Sequence, residues 1–303
     1  MKKVKIIVVT LVIIGCIGSF LFFTQDKFRP DSKPLFSLDD YPTVDASLAT
    51  QPLATAFIKE FTGEKEISDE RLGYTNTHPG YVKLIDDEVD LIIVTEPSEE
   101  ELALAKEKGV ELEVIPVVKE GFVFYVNSEN SVDNLTLEQI QKIYTGEITN
   151  WKEVGGDDAP IRAYQRPVNS GSQTGMLSLV MKDLPLMKPV TEDIVDTMYQ
   201  IINLVSSYDN GRYSIGYSYY YYATTMFQDM DASIANGITL LGVDGVKPTN
   251  ETIYDGSYPI QTAYYIVIRK DEPENSKVRK LVDAMLSDKG QEIAEGAGYV
   301  PVK

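Results

Sequence analysis

Short apolar runs alternate with helix-patterned segments along the chain from Tyr41 onward. The run Val89 to Val94 has the length and the β-branched content of a buried strand, whereas Ala49 to Phe61 repeats its apolar residues at helical spacing. Ser98, three residues before Glu101, forms a capping-box pattern and predicts the start of a helix. Strands that alternate with helices predict an α/β fold, and a 303-residue chain with 43% hydrophobic residues can bury a sizeable core.

The same patterns predict the remaining elements. The predicted strands are ELEVIPVV, GFVFYV, IRAYQ, SIGYSYY and AYYIVIRK, and further helices are predicted for Leu135 to Tyr144, Ser170 to Met181 and Ser276 to Gly296. The tyrosine run Tyr217 to Tyr222 alternates at strand spacing, which favours core packing over a stacking surface for a sugar.

The N-terminus has the pattern of an export signal. Met1 to Lys5 is basic and Ile6 to Phe23 is mostly apolar, so residues 1–27 are predicted to be a signal or membrane anchor. Two anchors fit: a lipobox in which Cys16 is lipidated, or an uncleaved helix long enough to span a bilayer. Both place the rest of the chain on the outer face of the cytoplasmic membrane. Residues 28–40, rich in proline and charge, are predicted to be a linker.

Net charge and the scarcity of cysteine and histidine exclude several functions. The formal charge is −18 and no basic cluster follows the first five residues, which argues against nucleic-acid binding. Cys16 is the only cysteine and His78 the only histidine, so the exported part has no disulfide and no predicted metal site. No Gly-x-Ser-x-Gly motif is present, so we expect neither an enzyme nor a cofactor.

A cluster of hydrogen-bond donors begins the helix predicted after the strand IRAYQ. Arg166 ends that strand, and Ser170, Gly171 and Ser172 form the start of the helix. The first turn of a helix has free N–H groups and the positive end of its dipole, and arginine offers a planar fork for an oxyanion. Two interpretations follow from the residues alone, a structural helix cap or an anion site.

The surrounding segments resemble the phosphate-binding proteins of bacterial ABC importers. The resemblance rests on IYTGEITNWKEVGG followed by IRAYQRPVNSGSQT, and on VDLIIVTEPS, SIGYSYYY and YPIQTAYYIVIRKD in the same order. It covers most of the chain from Tyr41 to the end and is closest to the membrane-tethered Gram-positive branch.

The resemblance implies a type II periplasmic-binding-protein fold, in which two α/β lobes are joined by two hinge strands and an anion lies in the cleft. The expected lobes are 41–124 with 234–303, and 125–233. In the second lobe the resemblance assigns phosphate binding to Arg166, Ser170, Gly171 and Ser172. Trp151 matches the tryptophan typical of the family, and we expect it to pack in the core.

The facing half of the expected site departs from the family pattern. Ser47 and Leu48 stand where the family has a hydroxyl-rich turn, and Leu48 offers only its N–H. Thr77 and His78 occupy a second turn, where His78 is either a ligand or a bystander. At a third turn, Glu96 is expected to accept the proton of hydrogen phosphate, or else Thr95 is the ligand and Glu96 faces solvent.

The function implied by the resemblance is capture of inorganic phosphate and its delivery to the permease subunits of an ABC importer, by a monomeric protein. Two alternatives stay open, a site for a different oxyanion and a non-transport sensor or interaction module with a weakened anion site.

Overall fold

The computed structural model of the protein describes residues 33–67, 71–189, 193–207, 211–230 and 236–303. The predicted anchor with Cys16 lies outside these ranges, and none of the helices within them has the length and apolar character needed to cross a bilayer. The folded body comprises Phe36–Lys303. It begins earlier than the predicted Tyr41, because the Phe36 ring is buried and packs edge-on against the Tyr41 ring, with 5.6 Å between the centroids.

A mixed β-sheet forms the centre of the body and confirms the predicted α/β class. The strands are β1 Val44–Ala46, β2 Leu72–Tyr74, β3 Leu91–Val94, β4 Leu112–Asn127, β5 Asn134–Leu135, β6 Arg162–Ala163, β7 Ser214–Tyr219, β8 Ile238–Leu240, β9 Gly242–Val243, β10 Gln261–Arg269 and β11 Val300–Pro301. Their order in the main sheet is β2-β1-β3-β10-β4-β7-β6, with β8 and β11 also paired to β4, while β5 and β9 form a separate pair.

Strand β4 is one long strand that pairs with different neighbours along its length, and it replaces the two strands predicted there. Its residues 112–121 pair with β10 and its residues 122–126 pair with β7. The prediction of two separate strands, ELEVIPVV and GFVFYV, was wrong, because Lys119 and Glu120 between them pair with Ala263 and Thr262 of β10 and the strand is continuous. The register shifts between Tyr264 and Tyr265 of β10, which leaves Val117 unmatched as a bulge, and a bulge is a place where a strand tolerates proline.

Helices cover the sheet. They are α1 Gln51–Thr62, α2 Thr77–Ile85, α3 Glu99–Glu107, α4 Leu137–Thr145, α5 Gly171–Gly175, α6 Met198–Ser206, α7 Phe227–Met230, α8 Asn250–Tyr254, α9 Lys277–Leu286 and α10 Asp288–Gly296. Short 3₁₀ turns span Leu48–Thr50 and Trp151–Val154, and π-helical turns at Met176–Met181 and Tyr222–Met226 directly continue α5 and precede α7.

Two details of the predicted helices differ from the structure. The closing segment is two helices, because the backbone of Ser287 is extended and its side chain accepts the N–H of Gly290 at 3.1 Å, which starts a new helix. The helix from Gly171 changes to π-helical geometry at Met176. The capping boxes at Ser98 and Thr136 are both present.

The tyrosine run and Trp151 lie in the core, as predicted. Tyr217, Tyr219, Tyr221 and Tyr222 are buried. Trp151 is fully buried, and its indole N–H donates to the carbonyl of Tyr213 at 2.9 Å, so the ring needs no ligand to satisfy it.

Candidate anion-binding site

One cavity of about 460 Å³ opens at the carboxyl ends of the parallel strands. Strands β1, β2 and β3 are mutually parallel, and so are β6 and β7. The two sets run in opposite directions, because β10 is antiparallel to both β3 and β4, and β4 is antiparallel to β7. The turns at their carboxyl ends therefore face each other across the cavity, and such strand ends are where α/β proteins commonly bind ligands. Nine of the ten predicted ligand residues line this cavity: Ser47, Leu48, Thr77, His78, Thr95, Arg166, Ser170, Gly171 and Ser172. Glu96 does not line it.

The start of α5 combines the two interpretations of the Ser-Gly-Ser turn. The Ser170 hydroxyl oxygen accepts the N–H of Gln173 at 3.2 Å, which makes it the helix cap. A hydroxyl that accepts in this way still has its own hydrogen to donate. The N–H groups of Gly171 and Ser172 precede the first internal hydrogen bond of the helix, from Gln173 N to Ser170 O at 2.9 Å. The turn is therefore both a cap and a set of donors for an anion.

Arg166 is held in the cavity wall by its backbone and by part of its side chain. Its N–H donates to the hydroxyl oxygen of Tyr217 at 2.9 Å and to the amide oxygen of Gln173 at 3.1 Å. Nη1 donates to Ser172 Oγ at 3.3 Å and Nη2 to the carbonyl of Asp196 at 2.8 Å.

The Nε–H of Arg166 is buried and has no hydrogen-bond partner among the described residues. Burial lowers the pKa of the guanidinium from its ordinary value, but arginine remains charged at neutral pH. The charge and the unused donor make this side chain suitable for an oxyanion, because a buried donor without a partner costs free energy.

Gly171 lies directly against the turns that follow β2 and β3. A Cβ built on Gly171 would lie 2.7 Å from Thr77 Oγ1 and 2.7 Å from Thr95 Oγ1. Thr95 is only 3% exposed. Tyr219 lies beside it, but the Tyr219 hydroxyl donates to the carbonyl oxygen of Gly171 at 2.9 Å and not to Thr95. Within the described part of the chain, Thr95 Oγ1 makes no hydrogen bond of ordinary geometry. Donors from both halves of the expected site thus face one small region.

Glu96 turns away from the cavity. Its Oε1 accepts the hydroxyl of Ser178 at 2.8 Å, and its Oε2 accepts the hydroxyl of Thr262 at 3.3 Å. Of the two candidates at the turn after β3, Thr95 is therefore the one on the cavity wall.

The turn after β1 is fixed by the buried carboxylate of Asp45. One Asp45 oxygen accepts N–H groups of Ala46 and Thr75 at 2.7 and 3.0 Å, and the other accepts Lys83 Nζ at 2.8 Å. Ser47, which follows, places its Oγ 3.0 Å from Thr50 Oγ1. The carboxylate ties the ends of β1 and β2 together and so positions the turns that supply Ser47 and Thr77.

His78 is oriented by a buried glutamate. Its Nδ1 lies 3.1 Å from Oε1 of Glu101, which is 1% exposed and whose Oε2 accepts the N–H of Ser98 at 2.7 Å. A neutral ring that donates from Nδ1 to this carboxylate has no second N–H, whereas a protonated ring also offers Nε2–H. His78 can donate to an anion only in its protonated form, unless the ring releases Glu101.

Several residues that line the cavity were not predicted from the sequence. Asn76 and Asn169 precede the donor turns with positive φ of 74° and 67°, a conformation that asparagine tolerates better than most residues. An asparagine just before a helix start is the signal that could have identified them. Asp196, Met198 and Tyr222 also line the cavity. No motif marks Asp196 or Met198, and Tyr222 belongs to the tyrosine run that we predicted to pack in the core.

The chain is similar in sequence to known proteins over most of its length. A family model described as a PBP superfamily domain matches residues 39–289. The phosphate-binding protein PstS of Bacillus subtilis (strain 168) is 27% identical over 311 residues, a match that covers 100% of this chain and 95% of that protein.

Two solved structures share the fold. A candidate phosphate ABC transporter substrate-binding protein from Clostridium perfringens, solved with bound phosphate, is 24% identical with a TM-score of 0.63, and the match covers 87% of this chain and 100% of that one. PstS from Borrelia burgdorferi is 25% identical with a TM-score of 0.55, covering 87% and 99%. These matches confirm the predicted periplasmic-binding-protein fold and the resemblance to phosphate-binding proteins. Since the matched residues 39–289 make up most of its length, the chain belongs to the PBP superfamily.

Proposed function

We propose that this chain is an extracytoplasmic solute-binding protein that captures inorganic phosphate and delivers it to the permease subunits of an ABC importer. The observation that carries the proposal is the convergence of Arg166 and the Ser170-Gly171-Ser172 turn with Thr77 and Thr95 on one cavity. The phosphate-binding names of the relatives point in the same direction.

The proposed mechanism is closure of two lobes on the anion. The lobes are 41–124 with 234–303, and 125–233, and they would meet along β4, near the change of partner from β10 to β7. An anion that bridges the α5 turn and the threonine turns makes its full set of contacts only when these are close together. Binding therefore favours the closed arrangement by its contacts to both sides.

The contacts are short-range and suit an acidic protein. Neutral hydroxyl and N–H donors with one guanidinium stabilise an anion where they touch it, whereas the repulsion from distant carboxylates is screened within about 8–10 Å at physiological salt. A net charge of −18 is therefore compatible with anion capture.

Calorimetric titration of the full chain in a mild detergent with inorganic phosphate tests the proposal. We expect saturable heat with one site, and a loss of about 10- to 150-fold in affinity for Arg166→Ala, because hydrogen bonds to charged groups contribute about 1.5–3 kcal/mol. Arg212→Ala is the matched control, since Arg212 is half exposed and its guanidinium lies near Glu129 and Asp157, at 3.8 and 3.6 Å, and over the Tyr213 ring. Absence of phosphate heat would refute the function, and an unaffected Arg166→Ala would refute the site.

The orientation of Glu96 favours one competing function, binding of a different oxyanion. A carboxylate in the cavity would reject fully deprotonated sulfate, and Glu96 is bonded to Ser178 and Thr262 instead. Sulfate is therefore titrated in parallel, and equal affinity for both ions would assign the site to oxyanions in general.

The proposed location is the outer face of the cytoplasmic membrane, where a lipidated Cys16 or an uncleaved N-terminal helix is the anchor. The proposed oligomeric state is a monomer. Mass spectrometry of the mature N-terminus separates the two anchors: a lipidated N-terminal Cys16 supports the first, and an intact Met1 supports the second.

A further inference from the structure

The cavity is several times larger than an inorganic oxyanion requires. Water occupies about 30 Å³ per molecule in the liquid, so a five-atom oxyanion displaces roughly two or three waters, or about 60–90 Å³. The cavity measures about 460 Å³. Most of its volume therefore extends beyond a bound phosphoryl group.

Several polar donors of the wall lie close together and form what we call the donor end of the cavity. The position of a Cβ on Gly171 is 2.7 Å from both threonine hydroxyls, and Arg166 Nη1 lies 3.3 Å from Ser172 Oγ. The buried Thr95 Oγ1 and Arg166 Nε, each without a partner among the described residues, belong to this end. A single tetrahedral group is enough to engage them.

The rest of the wall is largely apolar. It includes the side chains of Leu48, Pro79, Pro167, Val168, Met198 and Tyr222. Leu48 stands where the family resemblance expects a hydroxyl residue, and both Leu48 and Val168 are unusually exposed for large apolar side chains, at 42% and 78%. A ligand group that covers such a wall removes apolar surface from water, which makes binding more favourable.

Among the described residues, no carboxylate near the threonine turns is free to accept a ligand proton. Glu96 is occupied by Ser178 and Thr262, and Asp196, the carboxylate residue that lines the described cavity, is exposed. Hydrogen phosphate has a P–O–H group that needs an acceptor when it is buried. In a phosphoryl dianion with one organic substituent, that substituent replaces the P–O–H group and prefers an apolar surface.

We infer that the cavity also binds organophosphorus anions, namely phosphonates or phosphomonoesters, with the phosphoryl group at the donor end and the substituent on the apolar wall. This inference rests on the proposed function, because it uses the same donors. It adds a ligand class that the recognition of inorganic phosphate does not require.

The test is calorimetric titration of the full chain in detergent with inorganic phosphate, methylphosphonate, phenylphosphonate and phenyl phosphate. We expect phenylphosphonate or phenyl phosphate to bind at least as tightly as inorganic phosphate. Methylphosphonate should bind less tightly than either phenyl compound. The comparison of the two phenyl compounds distinguishes a phosphonate site from a phosphomonoester site.

Two variants locate the substituent. Met198→Ala shortens an apolar side chain on the wall and should weaken the phenyl ligand about fivefold or more, while inorganic phosphate stays within twofold. Val168→Ser changes a 78% exposed residue and therefore leaves the fold intact, and it should act in the same direction.

The outcomes separate this inference from the proposed function. Binding of inorganic phosphate without binding of any substituted ligand overturns the inference and leaves the proposed function standing. Equal losses for both ligand types in the two variants overturn the placement of the substituent on this wall. Absence of binding by every ligand refutes both.

Discussion

Substitution of Gly171 by alanine tests whether close approach of the α5 turn to the threonine turns is part of ligand binding. The added Cβ would lie 2.7 Å from the hydroxyl oxygens of Thr77 and Thr95, which is closer than real Cβ contacts. Both threonines are almost fully buried and, being β-branched, have few rotamers to move into. One of the three groups must therefore shift.

The magnitude follows from the cost of overpacking. An extra methyl group in a closely packed region costs about 1–3 kcal/mol, which corresponds to a roughly 5- to 150-fold loss of affinity if the cost falls on the ligand-bound state. An arrangement in which the α5 turn moves away from the threonines escapes the clash. We therefore expect weaker phosphate binding with little change in the melting temperature of the ligand-free protein.

The assay is calorimetric titration of phosphate into Gly171→Ala, with thermal unfolding of the same samples. Gly296→Ala is the matched control: this glycine lies at the end of a helix without positive φ, and a Cβ there meets no atom of the described structure within 4 Å. An affinity of Gly171→Ala within twofold of the parent protein would refute the reasoning, because the close contact would then have no place in the bound state.

Three further predictions concern stability and electrostatics. Burial raises the pKa of Glu120 to about 8 from an ordinary value of 4.5, so the unfolded chain releases this proton at a lower pH than the folded one. The contribution of protonated Glu120 to the free energy of unfolding is therefore fully present below pH 4.5 and is lost as the pH rises to about 8. Glu120→Gln should flatten that decline. The difference in the free energy of urea unfolding between pH 5 and pH 8 should shrink by an amount on the order of a few kcal/mol, and parallel pH profiles for the parent protein and the variant would contradict the assignment. Asp45→Ala should lower the free energy of unfolding by about 2–4 kcal/mol, because it leaves Lys83 and Thr75 without their buried acceptor, whereas Asp288→Ala at a 95% exposed carboxylate should change it by no more than about 0.5 kcal/mol. The association rate constant for phosphate in stopped-flow experiments should rise with ionic strength, because salt screens the repulsion from a chain of charge −18, and a fall would indicate that local positive charge steers the ligand instead.

The features that local sequence determines were predictable. A capping box needs only residues three apart, so the one at Ser98 was identified correctly from the sequence. The donor turn at Ser170 belongs to the same class, because a cap, a glycine and the helix that follows are adjacent in the chain. For this reason the half of the candidate site that contains Arg166 was the easier half to anticipate.

The features that depend on distant partners were not predictable. The side chain of Glu96 is directed by Ser178 and Thr262, which are 82 and 166 residues away in the sequence. The continuity of β4 through Lys119 and Glu120 depends on their pairing with Ala263 and Thr262 of β10, 144 and 142 residues later, which no local pattern reveals. Sequence patterns specify which groups a turn offers, and tertiary packing decides which of them face the cavity.

An acidic protein can hold an anion if the carboxylates nearest the site are engaged elsewhere. Two unit charges 4 Å apart interact by about 4 kcal/mol at an effective dielectric constant of 20, so one misplaced carboxylate would offset the contribution of the guanidinium. Around this cavity, Glu96 accepts from Ser178 and Thr262, Glu100 accepts from Asn169, and Glu101 accepts from Ser98 and faces His78. Each glutamate is therefore directed to a protein donor, Asp196 on the cavity wall is exposed to solvent, and Arg166 Nε and Thr95 Oγ1 are left for the ligand. The placement of a few carboxylates, and not the net charge of the chain, decides whether this cavity attracts an oxyanion.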